Sequence, residues 1–117
     1  MTDPKLAHEV VELASQLVQR PSVSPNDGGC QDLVADRLSS AGFLVERLDF
    51  GATRNLFVRK GEGAIRLLMN GHTDVVPPGD GWKRDPWSGE VVDGFLHGRG
   101  SADMKSGVAA MTIALER

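Results

Sequence analysis

The sequence predicts an α/β fold whose mainly parallel sheet is flanked by helices and is incomplete where the chain ends. Three observations carry that reading. Two segments with helical apolar spacing open the chain, several strand-like runs follow, and a third helical segment closes it. The run Ile65-Arg66-Leu67-Leu68-Met69 is almost continuously apolar, as a central strand covered on both faces should be. The last helical segment stops at Leu115-Glu116-Arg117 with no glycine or proline stop and no strand after it. The expected sheet therefore looks cut short, with an open edge and an uncovered apolar face that invite aggregation or a partner.

Taken in order, Asp3-Pro4 is a helix start, a capping carboxylate followed by proline at the one helical position that suits it. Leu6, Val10, Leu13 and Leu17 then recur on one face, and Pro21 ends the segment. PSVSPNDGG, from Pro21 to Gly29, is a loop by composition. A second helix is expected over 28–40, with Leu33, Val34, Leu38 and Ala41 inward and Gly42 as its stop. Strands are expected over 43–49, 55–60 and 64–70, the last two joined by Gly61-Glu62-Gly63. Asp93-Gly94 between two short apolar runs is a hairpin turn. A final helix should begin near Lys105 and present Val108, Met111, Thr112 and Leu115 on one side.

The 117 residues suit one domain or part of one, and 40% hydrophobic with 25% charged residues is ordinary globular composition. A net charge of −3 leaves no basic footprint for nucleic acid or an anionic membrane. Cys30 is the only cysteine, which excludes an internal disulfide and suits a reducing compartment. The start Met1-Thr2-Asp3-Pro4 lacks the basic and apolar blocks of a leader, and no apolar stretch is long enough to span a bilayer. A cytoplasmic location is the expectation.

Two stretches concentrate residues that could do chemistry. In NGHTDVVPPGD, His72 and Asp74 stand two positions apart on an extended chain, so both side chains point the same way. They read either as a solvated loop start or as a histidine ligand with a carboxylate on its other nitrogen. Pro77 and Pro78 then stiffen the loop. The second stretch is GRGSADMKSG, from Gly98 to Gly107. It is not a phosphate loop, because Met104 stands where the Walker pattern needs glycine and Asp103 where a dinucleotide loop needs one. Read by itself, Asp103 is a helix N-cap. Trp82 and Trp87 are expected to pack the intervening loop, Cys30 to fill core space, and His8 and His97 to carry no chemistry.

Joined together, GHTDVVPPGD, Trp82, DPW at 85–87, DG at 93–94 and GRGSADMKSGVAAM at 98–111 resemble the di-zinc aminoacylase and carboxypeptidase family. The upstream stretch from Val10 to Phe50 is also similar to the family's opening, so the resemblance covers almost the whole chain. It implies the N-terminal part of a di-zinc exopeptidase-like catalytic domain. In that reading His72 ligates one zinc, Asp103 bridges both, and Asp74 is the catalytic-site carboxylate supporting His72. It also implies two Zn2+ per complete site with Co2+ as a substitute, an N-acyl amino acid as substrate, homodimeric full-length members, and a cis bond after Asp103. Trp87 and Ser106 depart from the family, which more often has Phe and Gly there.

The family's glutamate base, its remaining ligands and its dimerisation domain would all lie beyond Arg117. The chain alone is therefore expected to bind zinc weakly and not to hydrolyse amides. VVPPGD favours the branch acting on an N-succinyl amide in lysine biosynthesis, with deacetylation of an N-acetyl amino acid or dipeptide hydrolysis as alternatives inside the family. An inert or purely interacting piece is the alternative outside it.

Overall fold

The computed structural model describes residues 3–117; Met1 and Thr2, part of the leader reading, lie outside the described residues. Helix α1 runs Pro4–Val18, with the Asp3 carboxylate accepting from the Lys5 amide at 2.9 Å and proline in the first turn. Helix α2, Cys30–Ser40, begins after Gly28 and Gly29, both at positive φ, and closes at Ala41 before Gly42 at φ +91°. Helix α3, Ser106–Glu116, is preceded by a wide turn over Ser101–Lys105. The three helices share one core of Leu13, Ala14, Leu17, Cys30, Val34, Leu38, Val108, Ala109 and Ile113. On α3 the buried stripe is Val108, Ala109, Thr112 and Ile113, so Met111 and Leu115 lie beside the core rather than at its centre.

Strand β1, Leu44–Arg47, pairs antiparallel with β2, Leu56–Arg59, and this pair lies against α2. Strands β3, Val91–Val92, and β4, Phe95–Leu96, form a second antiparallel pair around Asp93 and Gly94. Both turn residues take positive φ, 52° and 81°, as the expected two-residue turn requires. Parallel pairing among the described residues is confined to one bridge, Val23 with Val75.

The mainly parallel sheet is thus not what these residues build, and the strand expected over 64–70 does not form. No ladder partner answers its backbone, and an extended run is a strand only when a neighbour takes its N–H and C=O groups. Ile65, Leu67 and Leu68 are 69%, 70% and 67% exposed instead of buried on both faces. The extents of 49 × 43 × 20 Å describe a plate with room for two layers across its thin dimension. What the fold does provide is a firm helical layer against which the 72–75 and 100–105 loops are fixed.

Candidate metal centre

The loop carrying His72 is tied to the segment that leaves α1. The Val75 amide donates to Ser22 O at 3.0 Å and the Ser24 amide to Val75 O at 3.1 Å. The buried Ser22 hydroxyl donates to Thr73 O at 2.6 Å, and the Ser24 hydroxyl donates to the Asp74 carboxylate. Fixed in this way, His72 turns Nδ1 toward Asp74, 3.1 Å from its carbonyl and 3.3 Å from Oδ1. A proton on Nδ1 satisfies that contact and leaves Nε2 with a lone pair.

Nε2 lies 3.0 Å from Asp103 Oδ1. A lone pair and a carboxylate oxygen at that distance repel unless a cation, either a proton or a metal, stands with them. Two donor atoms bound to one tetrahedral zinc at about 2.0–2.2 Å are separated by about 3.3 Å. The observed spacing is close to that value, so the donor set fits a zinc ion. It is also a small set, since among the described residues no group of three or more His, Cys, Asp or Glu side chains is arranged to hold a metal.

Asp103 is not an N-cap. Neither the 101–105 turn nor α3 has a side-chain cap bond, because the backbone at Asp103 is extended (φ −120°, ψ 93°) and aims the carboxylate at His72. The Asp103–Met104 peptide bond is cis. His72 and Asp103 meet at the surface without sharing an enclosed pocket. His72 and Asp74 line an open cavity of about 440 Å³ together with Leu56, Leu68 and Met111, whereas Asp103 is outside that lining with an 89% exposed side chain. A carboxylate on a loop before a helix, with no strand paired beside it, has nothing to enclose it.

Beneath Asp103 the structure is dense. Lys105 is fully buried, and its ammonium donates to Leu17 O and Arg20 O, both at 2.8 Å, at the C-terminal end of α1. Burial pushes its pKa below the usual lysine value, while the same burial pushes the neighbouring Cys30 thiol up. The Lys105 amide donates to Gly100 O, and a Cβ on Gly100 would come within 2.6 Å of Val75 Cγ1. Glycine there lets the 100–105 turn lie directly on the 72–75 loop.

Sequence reasoning named His72, Asp74 and Asp103, and the fold brings all three together. It missed Ser22, Ser24 and Lys105. The signal for the serines was their i, i+2 spacing in PSVSP, matching that of His72 and Asp74. For Lys105 it was a lone cation opening an otherwise small and apolar helix. Trp82 packs its loop as expected, donating from Nε1 to Pro78 O with the Arg99 guanidinium over its ring. Cys30 fills core space and His8 is exposed, again as expected.

The sequence model of peptidase family M20/M25/M40 matches residues 68–117, the span that carries both His72 and Asp103. The chain is also 50% identical over 111 residues, 93% of its length, to the succinyl-diaminopimelate desuccinylase of Methylococcus capsulatus (strain ATCC 33009 / NCIMB 11132 / Bath). Residues 68–117 carry the sequence pattern of this peptidase family. The chain spans 29% of the length of that relative. No helix among the described residues is long and apolar enough to cross a membrane.

Proposed function

We propose that this chain forms the N-terminal part of a zinc-dependent amide hydrolase that releases succinate from N-succinyl-LL-2,6-diaminopimelate. The observation that carries the proposal is the His72 imidazole held between two carboxyl residues, with Nδ1 on Asp74 and Nε2 3.0 Å from Asp103. His72 would offer Nε2 to a zinc ion. Asp103, with two oxygens and an open face, would bridge that ion and a second one. Asp74 would fix the tautomer and orientation of the ring. Bound zinc supplies Lewis-acid polarisation of the scissile carbonyl and acidifies water so that it can attack at neutral pH. No described residue stands where a general base would receive the water proton, since Asp74 is engaged by Ser24 and His72. In this reading the base, the remaining ligands and any dimer contacts would come from residues outside this stretch.

Deacetylation of N-acetylornithine or hydrolysis of a dipeptide would use the same two ligands. The 50% identity to a desuccinylase supports the succinyl substrate over these. The test is a chimaera joining residues 1–117 to the portion of the Methylococcus capsulatus relative that follows the matched stretch. It is assayed side by side on N-succinyl-diaminopimelate and N-acetylornithine. Succinate release that disappears in His72→Ala and in Asp103→Ala is the expected result. Release that survives either substitution would remove that residue from the site, and preference for N-acetylornithine would reassign the substrate.

A further inference from the structure

We infer that Lys105 is a positioning residue, a buried clamp that hangs the Asp103 loop on the end of α1 and so sets the distance between Asp103 and His72. The inference rests on the metal reading for its purpose but on separate contacts for its geometry. The segment from Leu17 to Ser24 holds both halves of the site. Its later part binds the His72 loop through Ser22 and Ser24, with the Val75 amide and carbonyl closing the bridge. Its earlier part receives the Lys105 ammonium on Leu17 O and Arg20 O.

Leu17 O lies in the last turn of α1, where it also accepts from the Arg20 amide at 3.1 Å, and Arg20 O lies just past the helix end. A cation is favoured at that end, where the helix dipole is negative. The ammonium thus adds two donations to the end of α1, while its backbone belongs to the other loop. The Trp87 ring, with its centroid 5.9 Å from Nζ, covers the ammonium from the side. Two residues back along the chain is Asp103, whose carboxylate, among the described residues, is paired with His72 and makes no cap bond. Apart from that contact, the position of Asp103 is set through its backbone. The clamp at Lys105 acts on that backbone.

Purely structural and positioning roles differ in what they move. In Lys105→Met the chain keeps a long apolar side chain in the core but loses both donations. The inference expects Asp103 to swing away from His72 while α1 and α3 stay folded. The direct reading is the imidazole nitrogen spectrum of His72, compared with Asp103→Asn, beside amide-exchange protection across the two helices. The expected result is a His72 spectrum resembling that of Asp103→Asn with helix protection retained, and zinc affinity reduced about 10- to 100-fold, the range for supporting groups at metal sites. Lys105→Arg, which restores a cation with several donors, should recover part of both signals.

A His72 spectrum unchanged in folded Lys105→Met would overturn the inference whatever zinc does. Absence of zinc binding in the wild-type chain would instead count against the metal reading, and the His72 spectrum would still judge the clamp. If Lys105→Met fails to fold, the wild-type chain decides. Its Lys105 ammonium protons must resist exchange with water and show contact with Leu17 and Arg20, and free exchange would overturn the inference.

Discussion

His72 Nε2 and Asp103 Oδ1 lie 3.0 Å apart although 31 positions separate the two residues. The segment that leaves α1 produces that meeting. Ser22 and Ser24 fix one loop and Lys105 the other, so the gap between the side chains is set by backbone contacts below them.

Asp74 acts through His72 in this account. Asp74→Ala should weaken zinc binding about 10- to 100-fold while leaving some binding, because both candidate ligands remain. Calorimetric titration with zinc checks this, and the His72 ring should also lose its single tautomer in the nitrogen spectrum. Unaltered affinity would place Asp74 outside the site.

Gly98 tests the packing of the site loop against α1. It sits at φ +144°, and a Cβ there would come 2.2 Å from Val18 Cγ1 and 2.9 Å from Pro86 O. Gly98→Ala should cost about 3 kcal/mol or more, from the backbone conformation and the overlap together. Urea unfolding followed by circular dichroism measures it. A loss below about 1 kcal/mol would show that the close approach is relieved at little cost.

Cys30 carries a pH signature. Burial raises its pKa above the ordinary 9.0, so the folded chain holds the thiol proton more tightly than the unfolded chain does. The contribution is present in full below about pH 9 and is lost as pH climbs through the raised value. Lys105, with a lowered pKa, contributes in the opposite direction up to 10.5, so the comparison must be with Cys30→Ala. The stability difference between wild type and Cys30→Ala should shrink above about pH 9. A difference independent of pH from 8 to about 10.5 would contradict the shift.

The exposed run at Ile65, Leu67 and Leu68 should make the chain self-associate. Leu67→Lys is expected to shift sedimentation toward monomer with little change in helix content, because that side chain contacts solvent over most of its surface. Equal association in both proteins would show that this run is not the sticky surface.

What the sequence made legible follows from the range of the forces involved. Asp3-Pro4, Gly42 and Asp93-Gly94 act within a few residues, and each marks the boundary or turn expected of it. Ile65 to Met69 failed because apolar character shows where a strand would prefer to lie and not whether a partner is there to pair with it. His72 and Asp74 were legible through their i, i+2 spacing. Asp103 needed the resemblance, since an aspartate before a helix is locally indistinguishable from a cap until its backbone is seen to be extended. At Lys105 the lone cation was visible but its partners were not, since they are carbonyls 85 and 88 positions away and carbonyls leave no trace in a sequence.

As proposed, His72 and Asp103 would be two ligands of a zinc site that does not turn over amides with these residues alone. A zinc centre takes at least three protein ligands, and these residues offer two. A missing general base removes roughly a further 10²–10⁴-fold in rate. The most direct measurement is zinc content and succinate release by purified residues 1–117 on N-succinyl-diaminopimelate, beside His72→Ala. The expected result is weak zinc binding that the substitution abolishes, with no succinate released by either protein. Zinc-dependent release that is lost in His72→Ala would contradict it and would mean that another residue of this chain serves as the base.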